Sequence, residues 1–70
     1  MNIQKIVGHN FSKIRHQKGL TQQEVAKLSG MHRSYISSLE NGHQNPTVSQ
    51  IKKLADALDV NHVYLFQNVL

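Results

Sequence analysis

Residues 21–42 constrain the fold of this chain most, because they predict two short helices with a glycine corner between them. The segment reads TQQEVAKLSGMHRSYISSLENG. Thr21 and Glu24 have the spacing of a capping box, which predicts that a helix begins directly after Thr21. Gly30 is the residue type that most readily adopts the left-handed conformation at a helix end, and the apolar pattern resumes after it. Ala26 is small enough for a second helix to cross closely.

The second helix of this pair, predicted at residues 32–41, has an unusual outer face. It carries short hydrogen-bonding groups and one guanidinium instead of the Glu and Lys mixture of an ordinary solvated helix. These side chains are His32, Arg33, Ser34, Ser37, Ser38 and Asn41. The pattern indicates a surface that contacts a polar partner.

Three further helices are predicted around this pair, so the chain is predicted to be all-α, with five short helices around one core. A helical apolar period runs through residues 3–18 and ends at Gly19, and Thr47 and Asn61 are the predicted caps of a fourth and a fifth helix. Leu65 and Phe66 are expected to close the core. The other predicted buried positions are Ile3, Val7, Phe11 and Ile14 in the first helix and Val48, Ile51, Leu54, Ala55 and Leu58 in the fourth. No segment alternates with period two over enough residues to predict a strand.

Composition narrows the possible environment and partner. A length of 70 residues favours one domain, spanning residues 1–70, with a modest core. Cysteine is absent, which fits a reducing cytoplasm and excludes disulfides and thiolate metal sites. No apolar run is long enough to predict a membrane span. The net charge of +4 favours a polyanionic partner, either nucleic acid or an acidic membrane surface.

The chain resembles lambda-repressor-like (Xre-type) helix-turn-helix domains over about residues 7–66. Several separated patches keep the spacing of that family at once. They are Val7, Phe11, Ile14-Arg15, Lys18-Gly19-Leu20-Thr21-Gln22, Val25-Ala26, Gly30, Tyr35-Ile36-Ser37, Leu39-Glu40-Asn41-Gly42, Asn45-Pro46 and Leu54-Ala55-Asp56-Ala57-Leu58. The short length and residues 31–37 are also similar to controller proteins of restriction–modification systems. One departure is Ser29, where many members carry leucine, and Leu28 is expected to supply the missing apolar contact.

This resemblance implies sequence-specific binding of double-stranded DNA by a transcriptional regulator of the repressor or controller type. The helix at residues 32–41 would enter the major groove, where base edges present distinct donors and acceptors. The guanidinium of Arg33 matches guanine O6 and N7, although a phosphate-bound or solvated arginine is the alternative. The predicted base contacts are Arg33, Ser34, Ser38, His32 and Ser37. The predicted phosphate contacts are Gln22, Tyr35, Asn41, His43, Gln44 and Asn45.

The resemblance also implies an ion pair between Arg15 and Glu40. The pair would tie the first helix to the end of the DNA-reading helix and so orient it. The alternative is two exposed charges whose pairing contributes about 0–1 kcal/mol.

The C-terminal residues are more apolar than one short helix can bury. Val63, Tyr64, Val69 and Leu70 are predicted to form a self-complementary patch, which would produce a homodimer. Such a dimer would place two reading helices about 34 Å apart on a pseudo-palindromic operator. The alternatives are frayed ends, or the cut edge of a longer chain.

Other classes of function have weaker support. The five histidines do not have the spacing of a metal site, and no nucleophile–base pair has a supporting spacing, so no metal, cofactor, small-molecule substrate or enzymatic activity is predicted. The rival hypothesis is a protein-interaction module, such as an antitoxin or a bridging adaptor, and the apolar C-terminus supports it. The salt dependence of DNA binding separates these two functions.

Overall fold

Four α-helices and one 3₁₀ helix make up the described part of the chain, residues 2–68, in a computed structural model. They are α1 (Ile3–Gln17), α2 (Gln22–Ser29), α3 (Arg33–Glu40), α4 (Val48–Leu58) and the 3₁₀ helix (His62–Phe66). No strand occurs within residues 2–68. The all-α prediction is therefore confirmed, with the fifth helix a 3₁₀ helix. None of these helices has both the length and the apolar content that crossing a bilayer requires.

Side chains at the helix ends explain why the helices begin and end where they do. The Thr21 hydroxyl accepts the N–H of Glu24 at 3.0 Å, and the Glu24 carboxylate accepts the N–H of Thr21 at 2.9 Å. Thr47 and Gln50 form the same reciprocal pair at the start of α4. Gly30 ends α2 with a φ of 74°, a conformation that glycine adopts without steric cost. These local signals are why the helix starts were predictable.

The core lies where α1, α4 and the 3₁₀ helix pack around the α2–α3 pair. Its fully buried side chains include Phe11, Val25, Ile36, Leu39, Leu54, Leu58 and Leu65. α1 crosses α3 so closely that a Cβ at Gly8 would overlap the carbonyl oxygen of Leu39. α1 therefore supports α3 through direct contact between the two backbones.

Three predicted core residues lie at the surface. Ile3 is 50% exposed and Val48 is 89% exposed, and each is the first residue of its helix. Their apolar stripes thus begin one turn before the neighbouring helices cover them. Phe66 is 38% exposed, whereas Leu65 is fully buried as predicted. A single short 3₁₀ helix can turn only one of these two neighbouring side chains inward.

The expected role of Leu28 is also wrong. Leu28 is 62% exposed, and Ser29 occupies the buried position. The Ser29 hydroxyl donates to the Ala26 carbonyl at 3.2 Å and accepts the N–H of Met31 at 3.3 Å. Its polar group is therefore satisfied within the turn, so no neighbouring leucine is needed to replace it.

Candidate nucleic-acid interface

The outer face of α3 presents the predicted base-contacting side chains together. Ile36 and Leu39 anchor the opposite face in the core. The five candidates are exposed or half-buried on or beside this helix, and they are His32, Arg33, Ser34, Ser37 and Ser38. His32 precedes the helix at the N-cap position but makes no capping hydrogen bond with its side chain. We refer to α3 below as the recognition helix.

The ion pair between Arg15 and Glu40 is present and nearly buried. Arg15 Nε lies 2.7 Å from Glu40 Oε2, and Arg15 Nη2 lies 3.0 Å from Oε1. The two side chains are only 10% and 8% exposed. A third donor of the same guanidinium, Nη1, binds the Leu20 carbonyl at 2.8 Å. Arg15 thus connects α1, the start of the α2 segment and the end of the recognition helix.

The surroundings of Glu40 keep its carboxylate ionised. Burial alone raises the pKa of Glu40, but hydrogen bonds from Arg15 and Gln22 and the positive charge of Arg15 lower it further than burial raises it. The net pKa of Glu40 lies below its ordinary value. The hydrogen bond to Glu40 likewise raises the pKa of Arg15 against the opposing effect of burial. Both partners are therefore charged at neutral pH.

Gln22 lies at the first position of α2, beside the recognition helix. Its amide nitrogen donates to Glu40 Oε1 at 3.2 Å, so the side chain that is predicted to bind phosphate is already held by the ion pair. The N–H groups of Gln22 and Gln23 lie in the first turn, where a helix has no acceptor for them. Arg15, His16 and Arg33 line the groove in front of this helix end. Exposed N–H groups next to basic side chains favour an anion there.

The position of His16 in this groove was not predicted from the sequence. Its Nδ1 lies 2.8 Å from the Ser12 carbonyl, which orients the ring, and its Nε2 lies 3.5 Å from Arg15 Nη2. The only sequence signal was its place directly after Arg15. Because that signal says nothing about where α2 begins in space, the tertiary structure was needed to place His16.

The loop after the recognition helix carries the other predicted phosphate contacts. The Asn41 amide donates to the Ser37 carbonyl at 3.0 Å, and the Gln44 amide donates to Ser38 Oγ at 3.2 Å. His43 and Asn45 are exposed. The loop therefore folds back onto the recognition helix, and one of its side chains contacts a predicted base reader.

Tyr35 is placed differently from the other predicted phosphate contacts. Its hydroxyl is buried and has no hydrogen-bond partner among residues 2–68. Burial raises the pKa of this hydroxyl. A phosphate contact would require the side chain to rotate outward, so that contact remains a prediction.

The predicted dimer patch is partly described. Val63 is 59% exposed and Tyr64 is 50% exposed, while Val69 and Leu70 lie outside the described residues. Phe66, which was expected in the core, is also exposed on this 3₁₀ helix. We define the C-terminal patch as Val63, Tyr64 and Phe66. The Asn10 amide fixes the backbone beneath it by donating to the carbonyls of residues 65 and 67, each at 2.9 Å.

Side chains that could bind a metal ion are not clustered in the described structure. Within residues 2–68, no three His, Asp or Glu side chains lie close enough together to hold an ion.

Known proteins are similar to this chain in sequence and in fold. The helix-turn-helix family model matches residues 12–65. A Sinorhizobium fredii protein named as an uncharacterized HTH-type transcriptional regulator, y4dJ, is 52% identical over 65 residues, which cover 93% of this chain and 84% of that one. The chain belongs to the helix-turn-helix family.

Two solved structures are similar to this chain over most of its length. The restriction–modification controller protein C.AhdI from Aeromonas hydrophila superimposes with a TM-score of 0.87 at 40% identity, covering 90% of this chain and 96% of the other. The controller protein C.Esp1396I, solved as a tetramer with its natural 35 base-pair operator, superimposes with a TM-score of 0.86 at 31% identity. That match covers 96% of this chain and 88% of C.Esp1396I.

Proposed function

We propose that this protein binds a specific double-stranded DNA operator and regulates transcription as a restriction–modification controller does. The observation that carries the proposal is the outward polar face of the recognition helix, whose opposite face is buried in the core through Ile36 and Leu39. The likeness to a controller protein solved on its operator supports the same conclusion. A regulator of this kind acts by occupying DNA and does not itself catalyse a reaction.

The docking follows from how the side chains are arranged. The N-terminal end of the recognition helix enters the major groove, where Arg33 donates two hydrogen bonds to guanine O6 and N7. Ser34 and Ser38 follow one turn apart on the same face. The start of α2, with Gln22 and the neighbouring His16, lies against a backbone phosphate. Base contacts then provide sequence preference, and phosphate contacts provide register and affinity.

A band-shift titration on a site selected from random DNA tests this docking. Arg33→Ala is expected to weaken binding to the selected site by about 1–3 kcal/mol and to relax the sequence preference. Gln22→Ala is expected to weaken binding to all sequences alike, because a phosphate contact carries no sequence information. Lys52→Ala is the control, since it also removes one positive charge but belongs to an exposed pair on α4. Unchanged binding in both Arg33→Ala and Gln22→Ala would show that the docking is wrong.

The same titration separates DNA binding from the rival function, a protein-interaction module such as an antitoxin. Binding through several phosphates falls steeply as ionic strength rises, because bound counterions are released. An apolar protein interface does not show this dependence. A binding constant that is insensitive to salt would favour the rival function.

We further propose that the protein acts as a homodimer joined through the C-terminal patch. Tyr64→Glu is expected to abolish the dimer, because a carboxylate buried in an apolar interface would lack a partner. Sedimentation measures this directly. Leu28→Glu is the matched control, since it makes the same kind of change at an exposed apolar residue of α2. A wild-type protein that remains monomeric at high micromolar concentration would exclude the dimer.

The proposal also covers the domain organisation of the protein and its location in the cell. We propose that residues 1–70 act as one DNA-binding domain, without a cofactor, in the bacterial cytoplasm, where the DNA lies. The similar protein from the bacterium Sinorhizobium fredii is named as a transcriptional regulator, which supports this location. The match to that relative extends over nearly the whole chain.

A further inference from the structure

One hydrogen bond connects the loop after the recognition helix to a side chain on its DNA-facing surface. Gln44 Nε2 donates to Ser38 Oγ at 3.2 Å. Ser38 is half-buried, and Gln44 is half-buried beside it. The amide of Gln44 is thus held against the serine that would reach a base edge.

This contact changes what Ser38 can recognise. A serine hydroxyl carries one donor and two acceptor lone pairs, so an isolated serine can bind either kind of base edge. Here the Gln44 amide occupies one lone pair. Within residues 2–68, the Ser38 hydroxyl donates a hydrogen bond to no other group. Its proton therefore has no protein acceptor in the described structure.

The remaining hydroxyl proton is the group best suited to meet the DNA. A hydroxyl that accepts a hydrogen bond becomes a stronger donor, because the bonds polarise one another. The N–H of Gln44 also places positive partial charge beside the oxygen, which repels a second donor approaching from a base. One acceptor lone pair of Ser38 Oγ remains free, but both effects favour donation by Ser38 over acceptance.

We propose that Gln44 is a positioning residue that makes Ser38 a hydrogen-bond donor, so that the base read by Ser38 must present an acceptor. Purine N7, guanine O6 and thymine O4 meet this requirement in the major groove, whereas the cytosine N4 amino group does not. The protein then discriminates against cytosine at one operator position. This inference rests on the proposed function, because it requires the recognition helix to lie in the major groove.

The test is selection of bound sites from random double-stranded DNA with the full chain and its variants. Ser38→Ala identifies the operator position, because the base preference there is lost. The wild type is expected to disfavour cytosine at that position by roughly 3- to 10-fold, the value of one hydrogen bond. Gln44→Ala is expected to remove most of this discrimination while the Arg33-dependent preference stays.

Two further variants separate positioning from a general effect of the loop. Gln44→Glu places an acceptor beside Ser38, so the hydroxyl turns toward the carboxylate and its oxygen lone pairs face the DNA. Cytosine should then be favoured at that one position. Ser49→Ala, at an exposed position in the first turn of α4 directly after this loop, should leave the base ratios unchanged. In a Ser38→Ala background, Gln44→Ala should cause no additional change in base preference.

The possible outcomes distinguish failure of this inference from failure of the proposed DNA-binding function. If the wild type enriches a defined operator but Gln44→Ala leaves the discrimination against cytosine intact, the inference alone is overturned. Preference for cytosine by the wild type would overturn it as well. No enrichment of any sequence by the folded wild type, with folding checked by circular dichroism, would overturn the proposed function and this inference together.

Discussion

Arg15→Met is expected to lower the free energy of unfolding by about 3–5 kcal/mol, because it leaves the Glu40 carboxylate buried without its charged partner. Glu40 is only 8% exposed and receives two hydrogen bonds from the guanidinium. Methionine fills similar space but donates nothing to the carboxylate. Small domains have total stabilities of about 5–15 kcal/mol, so the loss is large for this protein. Urea denaturation at pH 7, followed by circular dichroism, measures it.

The acid dependence of the same measurement identifies the cause. The pKa of Glu40 is lowered in the folded protein, so its ionised form contributes stability above the unfolded pKa of about 4.3. This contribution is lost as the pH falls through the folded pKa of Glu40. The difference between wild type and Arg15→Met should therefore shrink in acid. Comparing the two proteins is necessary, because hydrogen bonds from Thr21 also lower the pKa of Glu24, which adds an acid dependence of its own to both.

Lys52→Met is the control for this prediction. Lys52 forms an ion pair with Asp56, but those side chains are 68% and 60% exposed. An exposed pair contributes about 0–1 kcal/mol. If Arg15→Met costs no more than Lys52→Met, the buried pair is not what holds the recognition helix.

Gly8→Ala is expected to destabilise the protein by about 1–3 kcal/mol, although alanine is normally the better helix former. The added methyl group would overlap the carbonyl oxygen of Leu39, which belongs to the backbone of α3. Neither group can turn away as a flexible side chain could, so α1 and α3 must separate. Thermal unfolding monitored by circular dichroism measures the effect.

His9→Ala is the neighbouring control in the same helix. His9 is exposed, so the substitution should change stability by no more than about 0.5 kcal/mol. Stabilisation by Gly8→Ala would mean that helix propensity outweighs the close approach of the two helices. Since Leu39 lies in the recognition helix, any separation should also weaken DNA binding beyond the loss of folded protein.

Local chemistry explains which parts of the fold could be predicted from the sequence. Thr21 with Glu24, and Thr47 with Gln50, are capping pairs within one turn of the chain, and both form. Gly30 ends α2 for a reason that lies in its own backbone. Interactions between residues three or four apart are encoded directly in the spacing, so they need no knowledge of the remaining chain.

The errors arose where burial depends on distant elements. Periodicity placed Ile3 and Val48 on apolar stripes, but whether another element covers the stripe is decided by packing. Ser29, and not Leu28 as expected, fills the buried position where many members of the resembling family carry leucine, because its hydroxyl bonds to the Ala26 carbonyl. Hydrophobicity alone could not reveal that compensation.

In the candidate site, too, some features were predictable from local sequence and others depended on tertiary packing. Short-range spacing predicted the α2–α3 pair and the polar face of the recognition helix, and the resemblance to a known family implied the helix-turn-helix class. Only the tertiary structure brought Gln22 onto the Glu40 carboxylate and Gln44 onto the Ser38 hydroxyl. Those contacts depend on the directions in which two chain segments return to the recognition helix. Residue spacing does not specify such directions, because the packing of the whole core sets them.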